Sequence, residues 1–216
     1  YDVSGEWPKA IYDKAIEQGY QALEVPEEFG GPGLSRVDVA ALIEQMAIAD
    51  AGFATTISAS GPGMKPVPIP GPAEQKQHVC DLILDGGFGA FCLTEPGAGS
   101  DASAGKTTAV KDGDEYVLNG RKCFITNGGV ASFYCVTAMT DKSKGVKGIS
   151  MFLVDAGTPG LSTGHEENKM GIRTSNTCDV VFEDCRIPAA NLIGEEGKGF
   201  GIAMKTLDQA RTWMGC

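Results

Sequence analysis

The sequence predicts an α+β protein in three parts: a helical N-terminal domain, an antiparallel β-barrel or sandwich in the middle, and a final helical stretch. Three observations carry that prediction. Apolar residues recur at helical spacing through residues 1–87, short β-rich runs bounded by Gly, Pro and Asp take over from Phe88, and helical spacing returns after Pro188. The expected domains are therefore 1–87, 88–188 and 189–216.

The first helix is expected to open at Pro8, whose fixed φ suits a first helical position; it sets Ile11, Ala15 and Ile16 on one face and stops at Gly19. A second follows Ser35. There "SRVD" is a capping-box-like start with Asp in place of the longer Glu, and Val39, Ile43, Met46 and Ala47 form the apolar face. "SGPGMKPVPIPGP", residues 60–72, is expected to be a Pro-rich connection. A third helix begins near Pro72, carries Val79, Leu82 and Ile83, and ends at Gly86-Gly87.

Within the middle part, "KTTAVKDGDEYVLNGRKCFITNGG" holds two hairpin signals, Asp112-Gly113 and Asn119-Gly120, while "SFYCVTAM", "GISMFLVDA" and "CDVVFEDCRI" are further strand candidates. About six short strands at this spacing suit a small barrel or sandwich. "FGIAMKTLDQARTWMGC" sets Ile202, Leu207 and Met214 among apolar positions and is expected to run helical to the last residue, as if cut inside a helix. Tyr1 likewise reads as an internal beginning.

Composition narrows the function classes. The 216 residues are 42% hydrophobic without a long apolar run, which argues against a membrane span. A formal net charge of −10 leaves no basic stripe to neutralise phosphates, which argues against nucleic acid as a partner. Seven cysteines (Cys80, Cys92, Cys123, Cys135, Cys178, Cys185, Cys216) include no C-x-x-C pair and mostly sit in apolar runs, so buried free thiols in a reducing compartment are expected. His78 and His165 stand in no metal-ligand spacing, and no metal site is expected.

Candidate chemistry falls in three stretches. "FCLTEPGAGSDASAG", residues 91–105, passes from an apolar strand into Thr, Glu, Pro and three glycines, a backbone able to lie close to a ligand or, taken alone, to make a Gly-Ser turn. "CFITNGG" is a strand running into ordinary turn residues. In "LDQAR" the spacing sets Asp208 and Arg211 on one helical face, as a binding pair or as a surface ion pair. "GEEGKGFG" lacks the G-x-G-x-x-G spacing of a dinucleotide-binding turn, and "GAGSD" is not the G-x-S-x-G elbow of a serine hydrolase.

These stretches, together with "YDVSGEWPKAIYDKAIEQGY", "VPEEFGGPGLS", "GISMFLVDAGTPGL" and "NKMGIRTSNTCDVVFEDCRIPAANLIGEEGKGFGIAMKTLDQAR", resemble the acyl-CoA dehydrogenase family over nearly the whole chain, in wording nearest its short-chain, butyryl-type members. The resemblance implies that the final helix is the opening helix of a C-terminal helical bundle, and it implies FAD as cofactor. It implies that Phe91, Cys92, Leu93 and Thr94 lie along the flavin, with the Thr94 amide and hydroxyl at its pyrimidine edge, and that Gly99 and Ser100 serve the pyrophosphate, Ser100 also lying near the acyl-CoA. On the second wall it implies that Phe124 stacks on the flavin, that the Thr126 hydroxyl reaches the reactive nitrogen, and that Ile125 lies between them; many members carry Trp where this chain has Phe124.

Asp208 and Arg211 match the family's CoA-binding positions. The implied reaction is α,β-dehydrogenation of an acyl-CoA thioester: a carboxylate takes the α-proton and the β-hydride leaves to flavin N5. No residue of this chain is expected to be that base, because Ala210 occupies one of the family's two base positions and the other lies later in the C-terminal bundle. The resemblance further implies a homotetramer, an electron-transfer flavoprotein as electron acceptor, a role in fatty acid β-oxidation, and a cytoplasmic or, second, mitochondrial matrix location. Alternatives are a non-catalytic FAD- or CoA-binding module and an oxygen-using, oxidase-like relative.

Overall fold

The computed structural model describes residues 1–67 and 70–214. Four helices come first: α1 (Lys9–Glu17), α2 (Arg36–Ala49), α3 (Ala51–Met64) and α4 (Ala73–Leu84). Helix α1 is capped by Pro8 and followed by Gly19 at φ 76°, and it buries Tyr12 with Ala15, leaving Ile11 exposed on the other side. Helix α2 opens with the expected capping box: the Ser35 hydroxyl accepts the Asp38 N–H while the Asp38 carboxylate accepts the Ser35 N–H at 3.1 Å.

The expected connection over residues 60–72 is corrected in its first half, because α3 runs on through Ser60, Gly61, Pro62 and Gly63. Low helix propensity is overridden here by packing. A Cβ on Gly63 would lie 2.5 Å from the Gly89 carbonyl carbon and one on Gly61 would collide with the Glu24 carboxylate, so these glycines let the helix press against β1 and its neighbours.

Seven strands follow: β1 (Gly89–Cys92), β2 (Thr108–Asp112), β3 (Glu115–Thr126), β4 (Phe133–Met139), β5 (Ile149–Asp155), β6 (Leu161–Glu166) and β7 (Thr177–Pro188). They form one mixed sheet in the order β1-β4-β2-β3-β7-β6, with β5 on β4. The expectation of an antiparallel domain needs correction at β4, which β1 and then β2 join in parallel along one edge while β5 lines the other.

Of the two hairpin signals, Asp112-Gly113 makes the β2–β3 turn. Asn119-Gly120 does not turn. Strand β3 continues through it with a bulge between Leu118 and Gly120, where the Asn119 side chain is held by Asp184 of β7. Gly120 is needed because a Cβ there would lie 2.7 Å from the Thr107 Cα.

Strands β4 and β5 are buried on both faces, and their residues alternate between two cores. Tyr134, Val136, Phe152 and Val154 point into the curl of the sheet with Leu118, Phe182 and Ile187. Phe133, Cys135, Met151 and Leu153 face Val25, Met64, Val79 and Ile83 of the helical layer, and Ile202 and Ala203 of α5 (Gly199–Met214) close the same core. The expectation that this last helix reaches Cys216 lies outside the described residues.

The six described cysteines are all free and buried, as composition suggested. Burial pushes the thiols of Cys80, Cys178 and Cys185 up to about 11 and that of Cys92 to about 12, so they act as small apolar fillers. Among the described residues no helix is long and apolar enough to cross a membrane.

Candidate functional site

The site forms where β1 ends. Phe91 is half-buried there, Cys92 and Leu93 are buried, and the next residue keeps pairing after the strand has stopped: the Cys123 N–H donates to the Thr94 carbonyl at 2.9 Å. This bond stitches the glycine loop to β3 one residue before Phe124. Strand β3 then bulges, its register on β7 shifting between Lys122 and Ile125, and Phe124 takes φ 57° and is 62% exposed. Left-handed backbone at an aromatic residue costs roughly 1–2 kcal/mol, and exposing the ring forgoes its burial, so the core gains nothing from the arrangement. Its effect is to aim an aromatic face outward beside the end of β1.

Phe91, Phe124 and Thr126 meet on a cavity of about 350 Å³ whose other walls come from α2, α3 and α5. Ala47, Ala54, Ser58 and Ala59 keep the helical side open, and Leu207 and Ala210 close it. None of the lining residues is titratable. The cavity can therefore hold a flat ring and an apolar chain, and a proton acceptor has to come from outside its described walls. Ala210, the position matched to one family base, is buried on that wall without an ionisable group.

Behind the two loops lies a buried ion pair that sequence reasoning missed. Lys122 Nζ, on a side chain 1% exposed, donates to Glu95 Oε1 at 2.8 Å, to Thr137 Oγ1 at 3.1 Å and to the Leu93 carbonyl at 3.2 Å. Glu95 also accepts the N–H groups of Lys106 at 2.5 Å and Thr107 at 3.0 Å. Burial alone would push Glu95 up, but the Lys122 charge and these hydrogen bonds hold its carboxyl below the usual range. Burial acts on Lys122 in the opposite sense and holds its ammonium below the usual lysine range, while the Glu95 charge and hydrogen bond offset part of that shift. Glu95 is thus locked inward as a brace for the loop, not free for proton transfer. A signal existed: Lys122 shares the inward register of Tyr116 and Leu118.

In the sequence Asn127 shows only turn chemistry. It is fully buried at φ 64°, and its amide donates to the Thr56 carbonyl at 3.0 Å and the Gly89 carbonyl at 3.4 Å, tying the end of β3 to α3 and β1. The remaining expected residues divide. The side chains of Cys92 and Ile125 belong to the core inside the sheet and Leu93 to the core beneath the helices, so only their main chain is available at the surface. Thr94 is half-buried, while Gly99 and Ser100 are exposed in the loop. Asp208 and Arg211 are exposed on α5, away from the cavity-lining Leu207 and Ala210; among the described residues no ion pair joins them. The described residues hold no cluster of His, Cys, Asp and Glu suited to a metal.

The family comparisons agree with this geometry. The model described as "Acyl-CoA dehydrogenase, N-terminal domain" matches residues 1–87 and "Acyl-CoA dehydrogenase, middle domain" matches residues 90–185, and the chain belongs to the acyl-CoA dehydrogenase family. Within it, the chain is 46% identical over 216 residues to "Acyl-CoA dehydrogenase, short-chain specific" of Megasphaera elsdenii, covering 97% of this chain and 56% of that one. A solved structure described as the electron transferring flavoprotein of Acidaminococcus fermentans superposes with TM-score 0.94 at 47% identity, over 98% of this chain and 56% of the other. An acyl-CoA dehydrogenase complexed with FAD from Bacillus anthracis gives TM-score 0.87 at 41% identity, over 95% and 35% of the two chains. The chain thus spans about half the length of the curated relatives it matches.

Proposed function

We propose that this chain is the flavin-holding part of an FAD-dependent acyl-CoA dehydrogenase acting on short acyl thioesters. The observation that carries the reading is the convergence of Phe91, Phe124 and Thr126 with Leu207 and Ala210 on one cavity. Two further features fit a flavin. The exposed, left-handed Phe124 offers a ring face that the core does not need. A Cβ at Gly97 or Gly99 would meet nothing within 4 Å and neither has positive φ, so room for a neighbour outside the chain explains them better than the fold does.

In this reading Phe124 stacks on the ring system, the Thr94 amide and hydroxyl donate at its pyrimidine edge, the Thr126 hydroxyl lies by its reactive nitrogen, and Gly99 and Ser100 serve the pyrophosphate. Bound FAD would supply the hydride acceptor. The helical walls would hold the acyl chain and exclude water, while Asp208 and Arg211 would bind the CoA portion. Family likeness supports an electron-transfer flavoprotein as partner and a homotetramer. The buried thiols fit a reducing compartment, the cytoplasm before the mitochondrial matrix.

The protein is expected to purify yellow and to release about one FAD per chain on denaturation. Replacing Thr126 by Val should shift the flavin potential while leaving the fold intact. Release of FMN, or of no flavin, would end this reading.

A further result separates the CoA role of α5 from a structural one. Arg211→Ala should weaken acyl-CoA binding by roughly 1–3 kcal/mol if the guanidinium makes a charge-assisted bond to the CoA portion, with a smaller loss for Asp208→Asn. Calorimetric titration checks it, and unchanged affinity in both variants removes these residues from the site.

A further inference from the structure

A second, much smaller void lies behind the wall of the main cavity. It measures about 10 Å³, close to the least that one water molecule needs, and among its lining residues are Gln21, Ser60, Ile43 and Ser58. Ile43 and Ser58 also line the 350 Å³ cavity, so these two side chains are the partition between the spaces. Ile43, on α2, is the larger of the two and is 6% exposed.

The far side of the partition is mostly apolar, with Val25, Ile57 and Ile83 among its walls, but it carries two buried polar side chains. Gln21 is 6% exposed and spends its amide N–H on the Ile83 carbonyl at 3.2 Å, which leaves Oε1 buried without a partner among the described residues. Ser60 is 1% exposed, and its hydroxyl is likewise buried without a partner among the described residues. Two orphaned polar atoms on residues lining one water-sized void are the circumstance in which a buried water is held, because each orphan otherwise carries the full cost of its lost hydration.

We propose that Ile43, backed by one ordered water between Gln21 Oε1 and Ser60 Oγ, sets the length of acyl chain that the cavity accepts. The proposal rests on the acyl-CoA reading above. A chain that fits the cavity ends against the Ile43 side chain. A longer one would have to displace that side chain and then the water, leaving both polar atoms facing methylene groups; a site rejects most strongly what leaves its buried polar groups unpaired. The two polar atoms thus make the void a stop, where a purely apolar floor would yield to a slightly longer chain.

The test uses the FAD-loaded protein and calorimetric titration with butanoyl-, hexanoyl- and octanoyl-CoA. Wild type should discriminate against octanoyl-CoA. Ile43→Ala should raise octanoyl relative to butanoyl affinity roughly tenfold, Ile43→Val less in the same direction, and Ile43→Ala combined with Ser60→Ala more than Ile43→Ala alone. Unchanged ratios in yellow, folded variants would overturn the role of Ile43, and a double variant no better than the single would overturn the role of the water.

A crystal structure supplies an arm independent of substrate. Density for one water within hydrogen-bond distance of Gln21 Oε1 and Ser60 Oγ is expected, and an empty void would refute the polar stop. If wild type binds none of the three thioesters, the acyl-CoA reading fails and the length-setting role with it. That outcome is distinct from failure of the wall alone, in which wild type discriminates and the variants leave its ratio unmoved.

Discussion

Replacing Lys122 by methionine is expected to cost about 3–5 kcal/mol of folding stability at neutral pH, because it strands a buried carboxylate without its counter-charge. Glu95 is 7% exposed and would keep the Lys106 and Thr107 N–H groups while losing the ammonium at 2.8 Å. The sign of the pH dependence follows. In the native protein the Glu95 carboxyl titrates below its ordinary 4.5, so its contribution is present above that value and is lost as pH falls through the lower folded value. In Lys122→Met burial dominates and the carboxyl is pushed up instead. Unfolding in urea should therefore show a smaller loss at about pH 4 than at about pH 7. Adding Glu95→Gln should restore much of the stability, since removing both charges is far cheaper than removing one. Equal losses at both pH values would refute the stranded charge as the cause. The same variant should loosen the loop after β1, because Lys122 also holds the Leu93 carbonyl.

Asn127→Ala is expected to cost about 2–4 kcal/mol, from left-handed backbone at a residue with a Cβ and from two lost buried hydrogen bonds. Substitution by Gly keeps the second cost and relieves the first, so it should recover about 1 kcal/mol. Asp is the discriminating replacement. It tolerates φ 64° but turns a carboxylate oxygen toward the carbonyls of Thr56 and Gly89, and it should be the worst of the three. An Asp variant as stable as wild type would show that the two amide bonds contribute nothing. Because Thr126 is the residue before Asn127, these variants should also disturb whatever binds on that side of the cavity.

What the sequence reveals here depends on how far its signals reach. The capping box at Ser35 and the turn at Asp112-Gly113 were legible because each is completed within a few residues. Asn119-Gly120 carries the same local chemistry as a turn, yet its outcome is a bulge, because Asp184 on β7 captures the Asn119 side chain. Helix α3 was illegible because Gly52, Gly61, Pro62 and Gly63 oppose helix locally, and only the nearness of Glu24, Gly89 and Thr174 explains them.

At the site, the loops around Phe91 and Phe124 were legible as motifs. That they share a cavity with Leu207 and Ala210 was not implied by any spacing. The brace beneath them needed a pairing between Glu95 and Lys122 across the sheet, which local reading does not supply.

The parallel placement of β1 against β4 also bears on the order in which the chain can assemble. Gly89 pairs with Phe133 only after the whole β2–β3 excursion has been made, and β3 in turn waits for β7, Glu115 meeting Pro188. Loops that long must close before their contacts return anything, so folding should be slow for the chain's size. During synthesis the helical layer emerges first, with Val25, Met64, Val79 and Ile83 still lacking Phe133, Met151 and Ile202 to cover them. Until β5 and α5 have left the ribosome, that half-made core is an exposed apolar face, and a nascent chain in this condition is a natural client for a chaperone that holds such faces apart.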